Sequence, residues 1–223
     1  MTIGMIYAMT LEIESLLTNE NAQPLQTVAG VPFYRIREGV IACAGGVGKV
    51  NAAMATQLMI SLYQPDLILN AGVAGCFEHA EIGDLVLAES FMQHDFDTSN
   101  IGDEECFVST VNCTYFPTSD FDRAKAAMDK VGMPYRTGLV ATGDWFGVDC
   151  DRSRHIAEKF HPLLCEMEGC AIAQVCLRNG VKFMSLKSVS DCLFEHHDFY
   201  FNFPTAMKDL NRVVVRFIDA LEG

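Results

Sequence analysis

The chain has 223 residues, half of them hydrophobic and a fifth charged, so its length fits one large domain or two small ones and a sizeable core can form. Sixteen Lys and Arg stand against 29 Asp and Glu, a formal charge of −13, and the basic residues are scattered. With no run or stripe to follow a phosphate backbone, nucleic acids and anionic membranes are excluded as partners.

Thr2 to Ala8 is apolar and reads as a buried strand, and Leu11 to Leu17 as the first turns of a helix. Phe33 to Arg37 and Val40 to Ala44 form a strand pair divided by the turn signal Glu38-Gly39. After Gly45-Gly46-Val47-Gly48, residues Val50 to Tyr63 put Val50, Met54, Leu58 and Leu62 on one helical face. Leu67 to Asn70 is a short strand ending in Ala71-Gly72-Val73-Ala74-Gly75, and Leu85 to Ala88 is another strand after Gly83-Asp84. Most of 93 to 120 lacks periodicity and reads as a long irregular loop, a feature that is usually functional in a compact domain. Helix Phe121 to Val131, strand Thr137 to Thr142 and helix Ser153 to Phe160 follow. Strand Leu163 to Met167, helix Cys170 to Asn179, strand Lys182 to Val189 and a terminal helix from Pro204 to Leu221 complete the alternation. The pattern predicts one α/β domain on a largely parallel sheet, with the strands ending at Glu166 and near Asp191 side by side.

Nine cysteines form no CxxC pair, and their uneven spacing fits no disulfide framework. The N-terminus lacks the basic region of a signal peptide, and no segment approaches the roughly eighteen apolar residues of a membrane span. The chain is expected to be cytoplasmic and reduced.

The glycine turn at 45–48 is no P-loop: Cys43 occupies the position of the first required Gly, and Val50 that of the Ser or Thr. Nor is it a dinucleotide fingerprint, since Asn51 replaces the third glycine. With 71–75 it offers a second stretch of bare backbone to a ligand. Glu12 and Glu14 follow the first strand, where the helix dipole alone would favour them, but one of the two can face a cleft as a general base. Glu166 and Glu168 would share a strand face unless a switch to helix at Met167 separates them. Asp191 ends an apolar strand beside Ser188 and Ser190, a position that also suits an N-cap. His94-Asp95-Phe96-Asp97 and His196-His197-Asp198 have no cysteine support, and neither is expected to hold a metal.

As an ordered set, several segments resemble the 5′-methylthioadenosine/S-adenosylhomocysteine nucleosidases of the nucleoside phosphorylase superfamily. They are Met5 to Met9 leading to Glu12, Gly46 to Val50, Gly72 to Gly75, Gln93 to Asp97, Gly143-Asp144 with Phe146, Glu166 to Gly169, and Ser190-Asp191. The resemblance implies a three-layer α/β/α fold around a mixed, largely parallel twisted sheet, no cofactor, and hydrolysis of the N-glycosidic bond of 5′-substituted adenine nucleosides. On this likeness Glu12 matches the base that activates water. Asp191, with Ser190 beside it, matches the acid at adenine N7. Glu168 matches the carboxylate on the ribose hydroxyls, and Met167 flanks the sugar. Phe146 would stack on adenine, Gly147 read its edge, and Ala74 and Gly75 line the base side. Met9, Val47 and Phe201 match the positions around the 5′ substituent, and Lys187 stands where the family usually has Arg. Trp145 is bulkier than the family's usual residue, and Thr98 and Ile101 less apolar. The family's loop after His94 reaches a neighbouring subunit's site, which implies a homodimer with the loop around Thr98-Ile101 at that site.

The roles make chemical sense, because an acid and a base acting at one pH need different environments, and a carboxylate near the sugar favours cationic charge present only in the transition state. A phosphate co-substrate would need cationic ligands, and the segment after the first strand offers Glu12 and Glu14 and no arginine. Three other readings stay open at this stage: a futalosine-type nucleoside hydrolase, a phosphate-dependent purine nucleoside phosphorylase, and a non-catalytic nucleoside-binding protein.

Overall fold

Strand β1 (Ile3–Tyr7) is buried at every position, so both of its faces need cover, as in a sheet sandwiched between helices. The computed structural model describes residues 1–195 and 199–223, the side chains of 199–201 excepted. After β1 come α1 (Thr10–Asn19), β2 (Gln23–Val28), β3 (Val31–Arg37), β4 (Val40–Ala44), α2 (Lys49–Tyr63), β5 (Leu67–Cys76), β6 (Leu85–Gln93) and β7 (Phe116–Pro117). The second half runs α3 (Phe121–Val131), β8 (Arg136–Thr142), α4 (Asp151–Phe160), β9 (Leu164–Glu166), α5 (Gly169–Asn179), β10 (Lys182–Cys192) and α6 (Phe199–Glu222).

β5 organises the sheet. Its first half pairs with β1 in parallel, its last two residues pair with β9 antiparallel, and β10 runs parallel along its whole length. β10 then pairs with β6, β6 with β8 and β8 with β9, so these five strands close on themselves. β1, β4, β3 and β2 extend from β5 as an open wing. The expectation that the Glu166 and Asp191 strands are neighbours does not hold. β5 lies between them, because its ten residues are long enough to bond a partner on each side.

Helices α1, α3 and α6 cover one face with Ile13, Leu16, Met128, Val214 and Phe217, while α2 and α5 cover the other with Ala55, Met59, Ile172 and Cys176. The apolar stripe of α2 is not its core face: Val50 is 79% and Leu62 41% exposed, and Met54 and Leu58 are half-buried. Small residues face the sheet instead because the backbones approach closely; a Cβ on Gly45 would stand 2.6 Å from that of Ala55. All nine cysteines are free and seven are buried, acting as small apolar side chains.

β5, β6 and β10 run further than their apolar content predicts, so Ala71 to Gly75 is strand rather than a turn. β2 gave no sequence signal, since it is a largely exposed edge strand carrying Pro24. The long segment after Gln93 holds only two 3₁₀ turns, Ser99–Ile101 and Ser109–Val111, and the two-residue β7. The terminal helix begins at Phe199, one turn before Pro204, and His196-His197-Asp198 lie outside the described residues.

Candidate active site

The ends of β1, β5, β9 and β10 meet around a cavity of about 370 Å³. Glu12, Glu168 and Asp191 all reach its wall, and each is held by main chain or by a neighbouring side chain.

Glu12 sits in the first turn of α1, where unpaired N–H groups attract a carboxylate. Its Oε2 accepts from the N–H groups of Ala8 (3.1 Å) and Met9 (2.8 Å), and Oε1 accepts from Val73 N on β5 (2.9 Å). Burial raises its pKa, opposed by those three N–H groups and by the Lys187 ammonium. Glu14, the other carboxylate of this turn, is exposed.

The strand-to-helix switch at Met167 separates the next two carboxylates. β9 ends at Glu166, and Glu168 is the N-cap of α5. Glu166 folds back under the turn: its Oε2 accepts from Gly169 N at 2.7 Å and Glu168 N at 3.1 Å, and its Oε1 accepts from the Thr142 hydroxyl. Glu168 points the other way, its Oε1 accepting from Gly48 N of the glycine turn at 2.8 Å. Desolvation, followed by the nearby Glu166 charge, pushes the Glu168 carboxyl up to about 7.

Asp191 does not cap a helix, because β10 continues to Cys192. A bulge between Val189 and Asp191 inserts Ser190 and brings Asp191 opposite Gly75. The Ser190 hydroxyl donates to Asp191 Oδ1 at 2.7 Å. A Cβ on Gly75 would stand 2.9 Å from Oδ2, so the bare backbone there makes room for the carboxylate.

The remaining wall is mostly apolar: Met9, Val47, Ala74, Phe146, Gly147, Met167 and Leu193 line it, with Ser190 among the polar groups. Phe146 is half exposed at the rim. Asp95 bonds both Lys49 Nζ (2.6 Å) and Asp144 N (2.8 Å), and Asp144 in turn accepts from Lys49 N (2.7 Å), tying the glycine turn to the segment that carries Phe146. His94 lies edge-on to Trp145 with centroids 5.9 Å apart, and the Arg152 guanidinium lies 5.4 Å over the Trp145 ring. Desolvation holds the His94 imidazole down at about 4, so it is neutral at physiological pH.

Residues 2–219 match the family model of the phosphorylase superfamily. Over 198 residues, 86% of either chain, the sequence is 37% identical to a 5′-methylthioadenosine/S-adenosylhomocysteine nucleosidase of Shewanella loihica. The chain belongs to this nucleosidase family of the phosphorylase superfamily. Among solved structures, the nucleosidase of Colwellia psychrerythraea in complex with adenine is similar, with a TM-score of 0.89 and 30% identity over 99% of this chain and 96% of that one. The futalosine hydrolase of Helicobacter pylori is also similar, with a TM-score of 0.87 and 25% identity over 99% and 97%.

Nearly every residue that the nucleosidase resemblance selected reaches the cavity. Lys187 does not. It stands behind the wall, fully buried, with Nζ 3.1 Å from Glu166 Oε2. Burial opposes its charge, but Glu166, Glu168 and Glu12 outweigh it and hold the ammonium above its ordinary pKa. The side chain of Phe201 lies outside the described residues, and Thr98 and Ile101 are not on this wall. Ala8, Val73, Cys165 and Leu193 also line the cavity; the sequence assigns none of them a role, although Ala8 and Val73 lie inside segments that carry the resemblance. Among the described residues no helix is long and apolar enough to cross a membrane.

Proposed function

We propose that the chain hydrolyses the N-glycosidic bond of 5′-substituted adenine nucleosides, among them 5′-methylthioadenosine, S-adenosylhomocysteine and 5′-deoxyadenosine, to adenine and the 5′-substituted ribose. The observation that carries this reading is the convergence of three carboxylates from α1, the start of α5 and β10 on one largely apolar cavity. A binding protein would have no use for three buried carboxylates around one neutral ligand.

Bond cleavage sends the electron pair of the C1′–N9 bond into adenine, and Asp191 hydrogen-bonds or protonates N7 to receive it, with Ser190 fixing its orientation. Glu168 holds the ribose hydroxyls and faces the cationic sugar, a charge that exists only in the transition state. Glu12 takes the proton of the water that attacks C1′. Phe146 stacks on the base, Gly147 reads its edge, and Ala74 and Gly75 wall the base side. Met167 flanks the sugar, and Met9, Val47 and Phe201 meet the 5′ substituent.

Hydrolysis is favoured over phosphorolysis because no Lys or Arg lines the described cavity, so a phosphate dianion would meet carboxylates without a cationic ligand. The exposed stripe of Val50 and Leu62, together with Ile101 at 83% exposure, supports a homodimer in which the loop around Thr98-Ile101 reaches the neighbouring site. Free cysteines throughout suit a reducing cytoplasm.

The test is incubation of the purified protein with 5′-methylthioadenosine, S-adenosylhomocysteine, 5′-deoxyadenosine and futalosine, with released purine base followed by chromatography. Adenine from the first three supports the reading. Turnover of futalosine alone would transfer the chain to the other hydrolase class, and no purine from any of them would refute a hydrolase.

A further inference from the structure

Glu166 has no place in the reaction just described, yet it is a heavily bonded carboxylate at the site. Four donors converge on it: the Thr142 hydroxyl from β8, the N–H groups of Glu168 and Gly169, and the Lys187 ammonium from β10. Both side chains of the ion pair are 2% exposed. Burying a salt bridge costs several kcal/mol of desolvation per ion and is weak evidence for stability, so this one calls for another explanation.

Its surroundings supply one. Glu168 is two residues from Glu166, and its own N–H is a ligand of the Glu166 carboxylate. Charged and polar groups acting on Glu168 include the like charge of Glu166 from β9, the Lys187 ammonium from β10, Glu12 from α1, and the Gly48 N–H at the start of α2. Asp144 occupies the next N–H of that glycine turn, on Lys49. Glu166, which borders the cavity, and Lys187, behind its wall, are therefore opposite charges acting on Glu168 from buried positions, where screening by water is weak.

We propose that the Glu166–Lys187 ion pair is a positioning and charge-setting device for Glu168: Glu166 fixes the backbone that presents Glu168 to the ligand, and the two buried charges balance the field at its carboxyl. Glu166 opposes ionisation of Glu168 and Lys187 favours it, so the pair together sets how far Glu168 is ionised when it faces the cationic sugar. The functional consequence rests on the nucleosidase reading, but the electrostatic claim does not.

Glutamate 13Cδ NMR titration of the whole protein tests it, with the Glu168 signal identified by its loss in Glu168→Gln. Glu166→Gln is expected to lower the Glu168 midpoint and Lys187→Met to raise it, each by roughly one unit, while Lys187→Arg leaves it in place. The acid limb of kcat/KM for adenine release should move in the same two directions. Opposite shifts separate charge from damage, since a merely structural role would move both variants alike or neither. If Glu166→Gln does not fold, the Lys187 pair decides: an unmoved midpoint in Lys187→Met overturns the proposal. A protein that releases no adenine would defeat the nucleosidase reading while leaving the titration to judge this one.

Discussion

Glu12 and Val73 are 61 residues apart in the chain, yet the Val73 N–H donates to Glu12 Oε1 at 2.9 Å. The bond clips α1 to β5 and fixes one oxygen of the residue assigned as base. Gly72 makes it possible, since a Cβ there would stand 2.5 Å from the same oxygen. Gly72→Ala should therefore displace Glu12, costing about 1–3 kcal/mol of stability as overpacking does, and lower kcat/KM at least about tenfold, one factor of ten per 1.4 kcal/mol of lost transition-state stabilisation. Steady-state adenine release alongside a thermal melt checks both.

Replacing either proton-handling carboxylate should separate binding from chemistry. Glu12→Gln and Asp191→Asn each keep the shape of the cavity but lose the proton function, so kcat should fall by about 100-fold or more. Nucleoside affinity by calorimetry should survive. Full turnover in either variant would remove the role assigned to that residue.

Stability should carry the signature of Glu168. Its carboxyl lies near 4.5 when unfolded and at about 7 when folded, so folding takes up a proton between those values. Its contribution is fully present below about pH 4.5 and lost as pH rises through about 7. Denaturant midpoints should show Glu168→Gln gaining on the parent chain as pH increases across that window. A constant difference would contradict the shift.

Trp145 is fixed by His94 and Arg152 on the cavity wall rather than in the core. Trp145→Ala should raise KM for 5′-methylthioadenosine several-fold, as the loss of about 1 kcal/mol of aromatic contact would, with kcat and melting temperature nearly unchanged. A fall in kcat alone would place its role in the chemistry instead.

Which parts of this were legible in the sequence follows from what each feature depends on. Strands such as β1 and helices such as α3 announce themselves through local apolar pattern, and the resemblance selected Glu12, Glu168 and Asp191, all of which reach one cavity. Strand adjacency was not legible, because β5 comes between β9 and β10 through pairings distant in sequence. The outward stripe of α2 misled because close approach to the sheet selects alanine over larger residues. Lys187 was expected at the cavity only as the match to the family's usual Arg; β10 places it behind the wall, paired with Glu166.

The most direct test of the central claim is the phosphate dependence of 5′-methylthioadenosine cleavage. In phosphate-free buffer the account predicts equal amounts of adenine and free 5-methylthioribose, with no change in rate and no sugar 1-phosphate by 31P NMR when phosphate is added. Adenine release that requires phosphate and yields the sugar 1-phosphate would contradict it.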